Sequence, residues 1–119
     1  MTDSDTTVLR RADIFQSGIL AGYLQEEQAG GWVFEYVDDY REIPISLTLP
    51  VRREPYIFKA FPAVFDGVLP EGEQLEALLK KHKIDRNDCF QQLVTVGQDL
   101  VGSLSVRLTK ASIQEKVDV

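Results

Sequence analysis

The chain has 119 residues, 44% of them hydrophobic, including six Phe, four Tyr and one Trp, so it can bury one domain-sized core without a metal or disulfide staple. A charged fraction of 27% is ordinary for a folded domain and argues against disorder along the whole chain. The net charge of −6 argues against direct nucleic-acid binding, and the single cysteine, Cys89, excludes an internal disulfide or a multi-cysteine zinc site.

Residues 1–7 (MTDSDTT) are polar and acidic and read as a frayed tail ahead of a domain over residues 8–108. No apolar stretch of signal-peptide type follows Met1, and no run approaches the ~20 apolar residues of a membrane helix. The expected compartment is therefore the cytoplasm. Val8 to Phe15 and Ile19 to Leu24 flank Gln16-Ser17-Gly18 and predict a β-hairpin. Ala29-Gly30-Gly31 supplies a second turn into Trp32 to Val37, an aromatic and β-branched run that predicts a third antiparallel strand. Ile43 to Pro50 alternates apolar and hydroxyl residues between two prolines, which cannot donate to a ladder. It is expected to be extended and at a sheet edge.

The second half turns helical. Phe61 to Val68 predicts one or two helical turns ending at Pro70. Glu71-Gly72-Glu73 opens the strongest helix, with Leu75, Leu78 and Leu79 on one face, acids in its first turn and Lys80, Lys81 and Lys83 near its end. Asp85 to Asp88 supplies the cap of a helix through Phe90, Leu93 and Val94. Gly97 and Asp99 mark the turn into a last strand over residues 100–108, and residues 109–119 read as a loose tail. The expected fold class is α+β: a small antiparallel sheet or open barrel with two or three helices.

Catalytic chemistry finds little support in this inventory. The only histidine, His82, lies in a lysine-rich helix end, where a solvated cation suits the helix dipole. Cys89 precedes Phe90 on an apolar helix and reads as a structural thiol rather than a nucleophile. The carboxylates form no metal-loop pattern, so no metal is expected. Gly97 and Gly102 have part of the spacing of a phosphate loop, but Ser103-Leu104 follows where a lysine is required. No cofactor is expected, and the chain reads as a non-enzyme.

Several spaced elements carry a resemblance. Gly22-Tyr23-Leu24, Phe34-Glu35-Tyr36 with Tyr40, and Pro44-Ile45-Ser46-Leu47-Thr48-Leu49-Pro50 resemble the start of HipA-type toxin kinases. Phe61 to Gly72 resembles that family's F-F-D-x-L-L-P-E segment, and Gly97 to Ser105 its G-x-D-x-x-G-A-L-S element, with Ser103 in place of the alanine. The match runs in order over about residues 8 to 108, without the kinase motifs that follow it in HipA proteins. In three-component HipBST toxin–antitoxin operons a free-standing protein of this kind, HipS, accompanies a separate kinase, HipT, and a DNA-binding HipB. The resemblance therefore implies an antitoxin that binds and inhibits a HipT-like Ser/Thr kinase, and meets a HipB-like protein through the complex. Two alternatives stay open: an excised N-terminal subdomain of a full-length HipA-type kinase, or a co-regulator that strengthens HipB–operator binding.

The partner-binding segment expected from the sequence is Phe61 to Glu71. Its candidate contacts are Phe61, Phe65, Asp66, Gly67, Leu69, Pro70 and Glu71. An apolar, proline-bounded element can wedge beside a nucleotide cleft and hinder lobe closure, while Asp66 and Glu71 can pair with cations. Phe65 is the proposed anchor.

Overall fold

The computed structural model describes residues 8–100 and 102–109. Strands β1 (Val8–Gln16) and β2 (Ile19–Glu27) form the predicted hairpin, with Gln16 opposite Ile19. The two turn residues take positive φ, 51° at Ser17 and 82° at Gly18. That is the pattern of the tight turns whose twist matches the flanking strands. Strand β3 (Trp32–Tyr36) pairs antiparallel with β2, and β4 (Tyr56–Phe58) pairs antiparallel with β3. After three helices, α1 (Ala63–Asp66), α2 (Gly72–His82) and α3 (Cys89–Val96), the chain returns as β5 (Leu104–Leu108), antiparallel to β1. The sheet is open and fully antiparallel, in the order β4-β3-β2-β1-β5.

Period-two alternation sends Ala12, Ile14, Leu24, Phe34, Tyr36 and Val106 to the core, and Ala21 is buried with them at the register shift opposite Ile14 and Phe15. Phe65 of α1, Leu79 of α2 and Phe90 and Leu93 of α3 are also buried. Aromatic rings run through this core in series. Phe34 meets Tyr36 edge-on at 4.9 Å and Phe65 at 5.9 Å, and Tyr36 stacks on Tyr40 at 5.5 Å. Each such pair adds about 0.5–1.5 kcal/mol beyond its buried area.

Three sequence expectations need correction. Ile43 to Pro50 is not a strand: it is an irregular loop, and the edge strand at this end of the sheet is Tyr56–Phe58. The loop's backbone groups are taken up by side chains instead of a ladder. The Tyr36 hydroxyl donates to the Leu49 carbonyl and accepts from the Ile45 N–H at 3.1 Å. The Tyr40 hydroxyl donates to the Ile43 carbonyl, and Gln16 Nε2 donates to the Pro44 carbonyl at 3.0 Å. The last strand begins at Leu104 rather than residue 100, because Asp99 N–H closes a turn on the Val96 carbonyl at 2.8 Å; Val101 lies outside the described residues. Thr109, expected to start the loose tail, is buried. Its N–H donates to the Arg11 carbonyl at 2.9 Å and its hydroxyl to Asp13 at 2.7 Å. Residues 1–7 and 110–119, the remainder of both predicted tails, lie outside the described residues.

Helix α1 is shorter than the expected Phe61 to Val68, and the ends of α2 and α3 follow local backbone chemistry. Lys83, at φ 56°, closes α2 in the left-handed conformation, with its N–H on the Leu79 carbonyl. The Asp88 carboxylate accepts from Gln91 N–H at 3.1 Å and caps α3. Gly97 faces β5 so closely that an added Cβ would sit 1.9 Å from the Val106 carbonyl oxygen, and Val106 N–H donates to the Gly97 carbonyl at 3.0 Å. Gly97 thus serves the close docking of α3 on β5, whereas Gly102 takes a positive φ of 100° in the bend before β5.

Two outcomes follow from this packing. Gly97→Ala should lower stability by about 3 kcal/mol, read from denaturant midpoints, because backbone rather than a flexible side chain blocks the new methyl. Tyr36→Phe should lower stability by about 1–3 kcal/mol at pH 7, since it leaves Leu49 O and Ile45 N without their partner. Burial raises the Tyr36 pKa above that of a free phenol. Its contribution is therefore complete below about pH 10 and is lost as pH rises beyond that, so the Phe variant should show a flatter alkaline limb.

Candidate partner-binding surface

The segment from Phe61 to Glu71 is held by its own short-range bonds. Phe65 and Asp66 N–H groups both reach the Pro62 carbonyl at 3.0 Å, Gly67 N–H reaches Ala63 at 2.9 Å, and Leu69 N–H reaches Asp66 at 3.2 Å. One helical turn is all that forms before Pro70 withdraws a donor.

This compact turn distributes the seven predicted residues to three places. Phe65 goes to the core with no exposed surface, packed on Phe34. A side chain wholly enclosed in its own domain is not available as an anchor, so that expectation is corrected. The physical reason is spacing: on a single turn seated over the sheet, Phe65 points at the sheet and its neighbours Asp66 and Gly67 point to solvent.

Phe61 goes to a different hollow. It is half-buried and meets Trp32 edge-on at 5.0 Å, while Trp32 stacks on Phe90 at 5.9 Å. Arg10 closes the floor of this hollow: its guanidinium lies 4.7 Å from the Phe90 ring centre and bonds both Glu26 and Asp88 at 3.1 Å. The Glu26 carboxylate, its burial and Asp88 together set the Arg10 pKa, with the net direction upward, so the residue stays charged at every working pH. The cavity, of about 440 Å³, also touches Asp85, Asn87 and Cys89. Its charges are largely satisfied internally, and it ties the first strand pair to the cap of α3.

Gly67, Leu69, Pro70 and Glu71 come together in one groove of about 660 Å³, completed by Val68, Gln74, Val96, Asp99 and Leu100. Leu69 and Pro70 are half-buried, whereas Gly67 and Glu71 are exposed. The groove thus has an apolar wall and an acidic rim of Glu71 and Asp99. Asp66 is exposed, does not line the groove and makes no ion pair among the described residues. Such a surface can seat an apolar side chain next to a cation. Val96, Asp99 and Leu100 were missing from the sequence-derived set because they lie about thirty residues away. The signal that could have found them is the Gly97-Gln98-Asp99-Leu100 element, which resembles the same family as the Phe61 segment.

Among the described residues no group of three or more metal-ligating side chains converges, and no helix is long and apolar enough to cross a membrane. His82 is exposed in the last turn of α2, as expected. Cys89 is part-buried, and its thiol is pushed up in pKa first by burial and then by the nearby Asp66 and Asp88 carboxylates. Less thiolate at neutral pH means slower alkylation. Iodoacetamide should label Cys89 more slowly than free cysteine at about pH 8.5, the ordinary cysteine pKa, with the rate still climbing at higher pH.

With this geometry in hand, the chain can be placed beside known proteins. Residues 12–107 match the family model of the HipA N-terminal domain. An uncharacterized Haemophilus influenzae protein is 28% identical over 103 residues, covering 87% of this chain and 96% of that protein. A Sinorhizobium fredii protein named as a candidate kinase, Y4mE, is 26% identical over 102 residues; the match spans 82% of this chain but only 24% of that protein. A solved structure, the N-terminal domain of HipA toxin, superimposes with a TM-score of 0.68 at 27% identity, covering 86% of this chain and 94% of that one.

Proposed function

The chain belongs to the HipA N-terminal domain family, and from that premise we propose that it is a non-catalytic, HipS-like antitoxin that docks on a separate HipT-like Ser/Thr kinase and restrains it in the cytoplasm. The observation that carries this reading is the groove itself. Gly67, Leu69, Pro70 and Glu71, chosen from sequence for their apolar and acidic character, line one continuous surface with Val96, Asp99 and Leu100. Gly67 and Glu71 are exposed, and Leu69, although it packs partly against the core, keeps surface in the groove. The Haemophilus relative adds support, since this one domain accounts for 96% of its length.

The restraint is physical rather than chemical. A kinase must close its two lobes around nucleotide to react, and an apolar element wedged beside the cleft opposes closure. Leu69 and Pro70 supply the apolar contact in place of Phe65. Asp66, Glu71 and Asp99 supply charges that steer the encounter with cationic kinase residues and fix its register. Any contact with a HipB-like repressor runs through the kinase complex, because the net charge of −6 suits phosphate poorly.

A second reading is favoured by one observation, the Sinorhizobium match, in which the same domain occupies about a quarter of a much longer chain. There the domain would be the N-terminal part of a kinase polypeptide. The mass of the protein expressed from its native locus separates the two.

The decisive assay follows phosphorylation by a HipT-like kinase from the same operon, with and without one equivalent of this chain. Wild type should suppress turnover at least tenfold; Leu69→Asp should restore most of it, and Glu71→Lys, at an exposed groove position, should weaken suppression while melting close to wild type. Phe65→Ala is the wrong probe, because emptying that core site costs about 3–5 kcal/mol by itself. Equal suppression by Leu69→Asp would move the contact off the groove. Complex formation without suppression would replace inhibition by the co-regulator role at the operator.

A further inference from the structure

Aromatic side chains in this domain are covered in two main ways. Phe34, Tyr36, Tyr40 and Phe65 pack on one another in the core. Four other rings each carry a guanidinium: Arg107 on Phe15 at 4.8 Å, Arg11 on Tyr23 at 4.6 Å, Arg52 on Tyr56 at 3.7 Å and Arg10 on Phe90 at 4.7 Å. Trp32 and Phe61 follow neither pattern. They meet edge-on at 5.0 Å, both stay half-buried, and neither has a cation over it among the described residues.

This pair walls the hollow of about 440 Å³ beside Arg10, a volume in the range of side-chain and ligand pockets. Charge selects the occupant. The lining holds one cation, Arg10, against Glu26, Asp85 and Asp88, a net of −2. Arg10 is fully committed, with two bonds to Glu26 and one to Asp88, whose carboxylate also caps α3 through Gln91 N–H. Asp85 is the exception to this internal pairing. It is exposed, makes no ion pair among the described residues, and its Oδ1 accepts only from Asn87 N–H at 2.8 Å.

Ring surface beside an unpaired carboxylate recognises a cation and repels an anion. A guanidinium suits it better than an ammonium, because one plane can stack on a ring while its N–H fork meets the carboxylate. The four internal arginine–ring pairs are this domain's own instances of that contact. The position of the hollow indicates where the cation comes from. Phe61 lies in it and Gly67 to Glu71 line the groove, so a single segment of eleven residues reaches both. Asp66, next to Gly67, is close enough to Cys89 of the hollow for its charge to act on that thiol. A polypeptide seated in the groove therefore has the hollow within reach.

We propose that the Trp32–Phe61 hollow is a second subsite of the partner-binding surface, which takes the guanidinium of one arginine against the aromatic pair and the Asp85 carboxylate. The identity of the partner that carries this arginine rests on the function proposed above, whereas the chemistry of the subsite does not.

Trp32 is the only tryptophan in the chain, so its fluorescence reports on the hollow directly. The test titrates the purified chain with N-acetyl-arginine amide and, as an uncharged control of the same shape, with N-acetyl-citrulline amide. The arginine compound should change the emission saturably and the citrulline compound should not. Asp85→Asn keeps an acceptor for Asn87 N–H, so it should melt like wild type while weakening the arginine response roughly twofold to fivefold. An equal response to both amides, or an arginine response untouched by Asp85→Asn, would overturn the subsite. Against the HipT-like kinase, Asp85→Lys should weaken binding, and more at low salt than at high salt. A wild-type Kd for Asp85→Lys, with Glu71→Lys impaired, would overturn the arginine contact and leave the groove and the function standing. If wild type binds no kinase yet still responds to the arginine compound, the function falls and the arginine subsite stands.

Discussion

Four aromatic rings in series, Tyr40, Tyr36, Phe34 and Phe65, hold the irregular parts of this domain to its sheet. Phe34 and Tyr36 are on β3, a strand with neighbours on both sides, and they project onto the core face. Phe65 delivers α1 and the groove-forming segment to one end of the series. At the other end the hydroxyls of Tyr36 and Tyr40 leave the apolar contact and collect backbone groups of the loop from Ile43 to Leu49. A tyrosine suits this duty because its ring supplies buried area and its hydroxyl satisfies a chain that has no ladder to join. The groove and the loop are hung on the same row of rings.

The polar side of the same logic is carried by Gln16 at the hairpin end. Its amide donates to Pro44 and accepts from the Ser103 hydroxyl, while the Ser103 carbonyl accepts from Ser17 N–H. One buried side chain thereby joins the loop over the sheet to the approach of the last strand. No described buried side-chain nitrogen or oxygen is left without a partner, which is what a core threaded by glutamine and tyrosine requires. Arg10 does the corresponding work across the sheet, linking β1, β2 and the cap of α3. Gln16 and Arg10 each connect elements far apart in sequence, which helps an open sheet with few strands hold loops in fixed positions.

A domain built this way has a division of labour that suits binding. The sheet and α3 are committed to the core, α2 contributes one buried residue, Leu79, and the segments between elements present the surface. Loops fixed on a rigid scaffold are the usual carriers of recognition. Here the groove segment is bounded by Pro62 and Pro70, so it is short and stiff.

Much of this was legible in the residues alone. Local signals are strong where one residue type permits one backbone, so the Ser17-Gly18 turn, the Asp88 cap, the Pro70 stop and the four main strands could be placed from sequence, and the ordered motifs indicated the family. Two things were decided only by tertiary structure. Ile43 to Pro50 alternates like a strand, yet buried hydroxyls from Tyr36 and Tyr40 satisfy its backbone, and no local pattern reveals a donor arriving from another element. Phe61 and Phe65 look alike in sequence, but the fold sends one to a hollow against Trp32 and encloses the other against Phe34. Which face of a single helical turn meets the sheet is set by the packing of the whole core, and that long-range choice is what separates a buried ring from a binding surface.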